Sequence, residues 1–416
     1  MLGDKARELP RGAKNFKLPD FLLDDAFALR IGTGDMAIPR QESAARFNAD
    51  RKAYRLKIAA IAVVVALLTL LSLCISFSGA GSGDVKLYAP WDAIGSLCAW
   101  AAYNFSQAFG LGWFDGSNLI DVAPLYMQVV PRAGMTLATL VCGALLACAG
   151  MLYQTVFRNP IASPSLLGIT NGVRVGLLMM FYAYGIQATV MVSQRFVYGY
   201  VAGIITLVVV FALSKLITRR KSSISIFDIL IIGTIASSFL SAVSKYILNM
   251  LATVDMWSTF FEFQEGLDIY GEPVTYAVLF VSTLVCFIPV VLLRFHMNLL
   301  SFSDGEARIM GTSPRLLRAL SIVSGSFMIL TAQVFVGSAS SFALVIPFLA
   351  RAFFGSEFRH QLWGNVFIGM GALLVCRDLC ALIPFVGVGI PIGTIAGIVT
   401  LPIFIWATLF ARRSWQ

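Results

Sequence analysis

Apolar residues run in long uninterrupted stretches along this chain, and polar positions gather in short clusters between them. Charge-free runs close to the ~20 residues that a helix needs to cross bilayer hydrocarbon occur at 58–77, 133–157, 196–214 and 273–293. Two more, 319–350 and 379–410, exceed one crossing, and each contains Gly, Ser or Pro at which the chain can turn. The first divides at VGSASS (336–341) and the second at PFVGVGIP (384–391), so the latter run completes a span that begins near Trp363. Weaker apolar segments at 165–185 and 226–250 bring the count to ten crossings. Backbone polar groups must be satisfied within lipid, so the pattern predicts an all-α, polytopic transmembrane bundle of about ten helices.

Composition agrees with the bilayer as solvent: 58% of the 416 residues are hydrophobic, 13% are charged, and the mean hydropathy is +0.81. The charges sort by side. With ten spans both termini lie together, on the side that collects Arg158, Arg219, Arg220, Lys221, Arg294, Arg308, Arg315, Arg318, Arg351, Arg359, Arg412 and Arg413. The positive-inside rule makes that side cytoplasmic. On the other side, Asp84, Asp92, Asp115 and Asp121 face Lys86 alone, and Asp255, Glu262, Glu265, Asp268 and Glu272 face no Lys or Arg. The net charge of +9 therefore reflects topology in the plasma (inner) membrane, and no nucleic-acid partner is expected.

Residues 1–57 hold twelve Lys or Arg and eight Asp or Glu and lack the apolar core of a signal peptide. They form a polar cytoplasmic extension ahead of a transmembrane domain at 58–413. FLLDDAFALRI (21–31) reads equally as a short amphipathic helix or as part of a disordered tail, and carries no assigned function.

No GxxxxGK[ST] phosphate loop occurs, and no Ser/His/Asp or paired-carboxylate arrangement marks a catalytic residue. The seven Cys sit mostly within apolar segments without CxxC pairing, and the two His, His296 and His360, stand apart. Neither a metal site nor a cofactor is expected. The chain reads as a conduit and not as an enzyme, its energy supplied by a separate ATPase or by an ion gradient.

The most informative segment runs from Pro131 to Gly176. Gly143, Ala147 and Gly150 recur at helical spacing and allow another helix to approach closely. RNPIASP (158–164) ends that helix, because Pro160 and Pro164 both disfavour helix at the residue before them. The reversal is a tight helical hairpin or a functional cytoplasmic loop.

Here the sequence resembles the FecCD-type permeases, the membrane subunits of importers for iron siderophores, haem and cobalamin. Pro131, Arg132, Arg158, Asn159, Pro160, Ala162, Pro164, Leu166, Leu167 and Gly168 match that family's pattern, with Ile161 and Ser163 as mild departures. The likeness continues through Asn298, Leu299, Leu300, Ser301, Ala307, Arg308 and Gly311, then FALVIPFLARAFFG (342–355) and PIGTIAGIVTLPIF (391–404), covering roughly 125–413. It implies a cobalamin-importer-permease-like bundle moving an iron chelate inward, with a siderophore favoured over haem and cobalamin. The implied partners are two copies of an ABC ATPase, a second permease copy or paralogue, an extracellular or periplasmic substrate-binding protein, and membrane lipid.

SDGEARIMG (303–311) predicts a short helix outside the bilayer, with Ser303 or Asp304 as cap, Glu306 in the first turns and Gly311 as terminator. The resemblance implies that this helix, with Ala307 and Arg308, couples to the ATPase. It also implies docking of the binding protein at Arg132, although Val129, Leu382 and Gly389 replace charged residues common at that mouth. Arg174 lies inside a predicted span, where a charge should face protein or a wet cavity. It is read as drawing an anionic chelate into the translocation pathway or as a structural pair. Arg377 and Asp378, adjacent on one helix and about 100° apart, need not pair; Lys245 is expected to snorkel. An ion-coupled secondary transporter is the rival reading, but it usually needs buried carboxylates within the spans.

Overall fold

The computed structural model describes residues 40–77, 85–108, 126–160, 162–217, 226–251, 259–260, 264, 273–301, 304–337, 339–355, 357–382 and 392–414. The chain divides into units 1–55 and 56–416. Within the first, only residues from Arg40 onward are described, and they are helical; residues 21–31 lie outside the described set.

In chain order the helices are α1 (Arg40–Cys74), α2 (Pro90–Ala108), α3 (Tyr126–Phe157), α4 (Ile169–Tyr184), α5 (Val192–Ile217), α6 (Ile226–Met250), α7 (Pro273–Leu293), α8 (Asp304–Ile309), α9 (Pro314–Val336), α10 (Phe342–Phe354), α11 (Phe358–Leu382) and α12 (Ile392–Ser414). Ten of them occupy the positions the hydropathy pattern predicts; α2 and α8 are additional. Among the described residues, seven are long and apolar enough to cross a membrane, in α1, α3, α5, α6, α7, α9 and α11. The protein is a multi-pass, all-α membrane bundle.

Three local differences from the expected spans have physical causes. The first crossing ends at Cys74, because Ile75–Phe77 (β1) pairs antiparallel with Val85–Leu87 (β2), Ile75 opposite Leu87. The segment 165–185 opens as a 3₁₀ turn at Pro164–Leu167 and becomes α4 only after Gly168, which is left-handed at φ 73. A Cβ there would sit 3.1 Å from the Ser237 backbone nitrogen, so this turn lies directly on α6. Finally, the 13 residues of α10 rise only about 20 Å, less than the hydrocarbon thickness. The break before it, at Gly337 with φ 75, is tolerated because its surroundings are protein: Val336, Ala339 and Phe342 are all buried.

Helices α3 and α9 form the axis of the bundle, with 78% of their apolar windows buried against 11% for α1 and 17% for α7. Small residues make this possible. At Gly143 a Cβ would lie 2.3 Å from the Gly369 carbonyl oxygen of α11, and at Gly150 one would lie 1.6 Å from the Ala343 carbonyl oxygen of α10. Backbone atoms leave no room to yield. Gly150→Val should therefore lower stability by at least about 3 kcal/mol, the upper end of ordinary overpacking. Gly371→Ala, whose Cβ would meet only the ends of the Val65 and Leu68 side chains, at 3.2 and 3.8 Å, should be tolerated. Thermal unfolding of the detergent-solubilised variants measures the difference.

Candidate functional site

One end of the bundle gathers the ends of α3, α7, α9 and α11 around Arg158. Helix α3 stops there by a two-bond reversal in which Asn159 N–H donates to Gln154 O at 3.2 Å and Arg158 N–H to Thr155 O at 3.4 Å. Arg158 occupies the left-handed position at φ 49, which usually falls to Gly or Asn. Its guanidinium has work there: Nε donates to the Leu300 carbonyl at 2.9 Å. Pro160 then prevents the helix from resuming, since the residue before it is turned away from helix.

The 3₁₀ turn Met297–Ser301, reached by Arg158, also touches two other helices. Asn298 Oδ1 accepts the N–H of Phe358, the first residue of α11, at 2.8 Å. Ser321 of α9 lies 3.3 Å from the Met297 sulfur. Helix α8 begins three residues later in the sequence, at Asp304.

Within α8, Ala307 is the inward contact, 1% exposed. The helix ends when Thr312 N–H donates to Ala307 O at 3.1 Å and Gly311 N–H to Arg308 O at 3.0 Å, with Gly311 left-handed at φ 80. Both bonds of a glycine-terminated helix end are thus present. The Thr312 hydroxyl adds a 2.7 Å bond to the same Ala307 carbonyl. Glu306, Arg308 and Gly311 are exposed, and Ile309 (88%) and Met310 (50%) turn apolar side chains outward beside Arg315 and Leu316 of α9. Ser303 lies outside the described residues, and Asp304 opens the helix.

Basic residues Arg158, Arg294, Arg308, Arg315 and Arg359 stand at this same end, where Arg294 lies 4.9 Å from the Phe295 ring centre. Arg219, Arg220 and Lys221 of the predicted basic side lie outside the described residues, as do Asp84, Asp115, Asp121, Asp255, Glu262, Glu265, Asp268 and Glu272 of the acidic side.

At the opposite end, Arg132 of α3 donates from Nε to the Ser72 carbonyl of α1 at 2.6 Å and is half-buried. Next to it, Arg377 and Asp378 do pair. Adjacent positions diverge at their Cα atoms, but the long arginine folds back, bringing Nη2 to 2.8 Å from Asp378 Oδ1. Arg377 also donates to Thr136 Oγ1 at 3.1 Å, to Thr139 Oγ1 at 3.4 Å and to the Ser72 hydroxyl, joining α1, α3 and α11. A third arginine, Arg195 of α5, is 1% exposed and donates to the Val334 carbonyl at the end of α9 at 3.1 Å and to Gln264 O at 3.2 Å. It was invisible to hydropathy because it precedes the charge-free run that marks its helix.

Between the two ends, α4 and α6 flank an open polar groove of about 460 Å³, lined by Asn171, Ser237, Ser238, Ser241, Ala242 and Lys245. Asn171 crosses to α6, donating to Ser237 O at 3.0 Å and Ser237 Oγ at 2.8 Å. Arg174 follows one turn after Asn171 on α4, half-buried, its buried Nε without a hydrogen-bond partner among the described residues. Lys245, expected only to snorkel, instead lines the groove. The serines were legible in principle as a polar stripe at 237, 241 and 244–245 through an apolar helix.

The profile of the FecCD transport family matches residues 100–410 of this sequence. The chain belongs to that family. Its curated relatives include a Helicobacter pylori protein named "Probable iron chelatin transport system permease protein", 28% identical over 68% of this chain and 82% of that one. The vitamin B12 import system permease of Citrobacter koseri is 27% identical over 72% of this chain and 86% of its own length. A solved structure described as "An inward-facing conformation of a putative metal-chelate type ABC transporter" superposes with a TM-score of 0.63 at 20% identity, covering 86% of this chain and 99% of that one. At that identity the likeness establishes the FecCD-family chain's fold.

Proposed function

We propose that this FecCD-family chain is the permease subunit of an ATP-driven importer carrying a metal chelate inward across the plasma membrane, a ferric siderophore first, with haem and cobalamin as the alternatives. The observation that carries the reading is the exposed helix α8, ended at Gly311 and held to the bundle axis by Ala307 and the neighbouring 297–301 turn. A conduit without its own phosphate loop must receive ATP energy through such a contact. ATP hydrolysis belongs to a separate chain in two copies, and a second permease completes the pathway. The Arg158 end faces the cytoplasm with both termini, where its arginines obey the positive-inside rule. At the other end a substrate-binding protein docks near Arg132. Arg174 and Lys245 supply positive charge beside the hydroxyl-lined α4–α6 groove, which suits an anionic, oxygen-rich chelate passing between the two mouths.

Reconstitution with an ATPase and a binding protein tests this directly. Labelled ferric siderophore should enter proteoliposomes only with ATP, and Lys245→Ala or Arg174→Ala should raise the half-saturating concentration about tenfold, since a lost hydrogen bond to charge is worth about 1.5 kcal/mol or more. Uptake driven by an ion gradient without the ATPase would overturn the reading in favour of secondary transport. Unchanged uptake by both variants would remove the groove from the pathway.

A further inference from the structure

The connection between α1 and α3 contains a helix that the transport reading leaves without a task. Helix α2 has 19 residues and a single charge, Asp92. Its inner face is small and tight: Ala93, Ser96 and Ser106 are 1%, 4% and 0% exposed. Ala93 and Leu97 pack on Cys74 and Val129. Those are the last residue of the crossing helix Arg51–Cys74 and the first of Val129–Phe157. Helix α2 is therefore fastened where two spans leave the hydrocarbon, at the Arg132 end.

Its outer face is apolar. Trp91 (72% exposed), Ile94 (43%) and Phe105 (53%) follow one another with exposed Gly95, Cys98 and Ala101 at intervals of three or four residues, and Trp100 (39%) flanks them. Nothing lies within 4 Å of a Cβ built at Gly95, and Trp91, Ile94 and Trp100 around it are exposed, so this part of the stripe is open among the described residues. A contiguous aromatic stripe of this kind does not face water for its own sake. Two occupants compete for it, a lipid surface and a docked protein. A docking protein would need charges or free polar groups to set its register. Here Asp92 is the sole charge, and the exposed carboxamide of Asn104 already donates to Trp100 O at 2.8 Å. The bilayer boundary, by contrast, favours Trp with its apolar ring and single N–H.

We infer that α2 is an interfacial helix, lying with Trp91, Ile94, Cys98 and Phe105 in the headgroup and upper acyl region of the leaflet at the Arg132 end. The inference requires that the chain span the bilayer, but not that it carry any particular cargo. Without basic residues, α2 binds by burying apolar surface alone, so it should hold equally in zwitterionic and anionic lipid.

Cysteine usage provides the probe. Cys98 is exposed, whereas Cys74, Cys142, Cys148, Cys286, Cys376 and Cys380 are buried. A nitroxide placed on Cys98 of the full chain in phosphatidylcholine nanodiscs reports depth through its collisions with oxygen and with a water-soluble nickel chelate. Reference labels at Val64→Cys, exposed on a crossing helix, and Arg315→Cys, exposed at the other end, are made in a Cys98→Ala background. The Cys98 label should read between the two, about 5–10 Å into the boundary, and stay there when the binding protein is added. Nickel accessibility equal to that of Arg315→Cys would overturn the inference. Water-like accessibility that is lost only on adding the binding protein would reassign the stripe to protein docking, which also overturns it.

Discussion

Gly311→Val should leave the permease folded in the membrane and weaken both its association with an ATPase and the ATP hydrolysis that association stimulates by about 5–150-fold. Gly311 is left-handed at φ 80, and its would-be Cβ meets nothing within 4 Å. The effect is therefore purely one of backbone conformation. A β-branched residue held there costs about 1–3 kcal/mol, and the helix end can escape that strain only by giving up the bonds from Gly311 to Arg308 and from Thr312 to Ala307. A shift of that size changes the population of the ended helix about 5–150-fold. Gly311→Asn provides the counter-test, because asparagine accepts the left-handed region and should retain most coupling. Gly355→Val tests position: at φ 80 and ψ −173 it lies in a region essentially reserved for glycine and is equally open, but it lies outside α8, and it should couple normally. Co-purification and substrate-stimulated hydrolysis measure all three. Full coupling by Gly311→Val would move the contact elsewhere, with the Arg158–Pro160 turn next in line.

The largest stability effect is expected at Arg377. In Arg377→Ala, Asp378 loses its 2.8 Å partner, and the cluster of Ser72, Thr136 and Thr139 loses the group that joins it. Removing one member of a buried pair typically destabilises by about 3–5 kcal/mol, because the other charge stays behind uncompensated. The double variant Arg377→Leu/Asp378→Leu should recover much of that loss, since apolar replacement removes both charges together. Thermal melts in detergent measure both proteins. A single variant as stable as the parent would show that the pair contributes nothing to holding α1, α3 and α11 together.

The spans were legible wherever lipid dictates composition. Residues 226–250 and 273–293 were bounded correctly to the residue, because nothing except the bilayer limits those helices. Legibility failed where protein replaces lipid as the surroundings. Helix α10 is shorter than a crossing since it starts after a break among buried protein at Val336 and Ala339, and the strand pair at 75–77 forms through contacts with residues eight to twelve positions away. The reversal at Arg158 and the terminator at Gly311 could be read from proline and glycine chemistry. The left-handed conformation of Arg158 could not, because it depends on a carbonyl 142 residues further along. The α4–α6 groove was likewise hidden. Asn171 and Ser237 signal nothing separately, and only packing at Gly168 and Gly233, whose Cβ would lie 2.5 Å from Leu166 O, brings them together.

The turn at 297–301 is bonded to the end of α3 through Arg158 and to the start of α11 through Asn298, and it leads through α8 into α9. These bonds are short, and Leu300 and Phe358, which they tie down, are buried, so the turn has little compliance of its own. A displacement imposed on α8 is then divided among three helices in the same instant, in the manner of a crank fixed to a shaft. Longer loops would absorb such a stroke as slack. By this geometry the stroke reaches the bundle axis before it reaches the lipid-facing helices, and the strength of two hydrogen bonds sets the largest load the linkage bears before it slips.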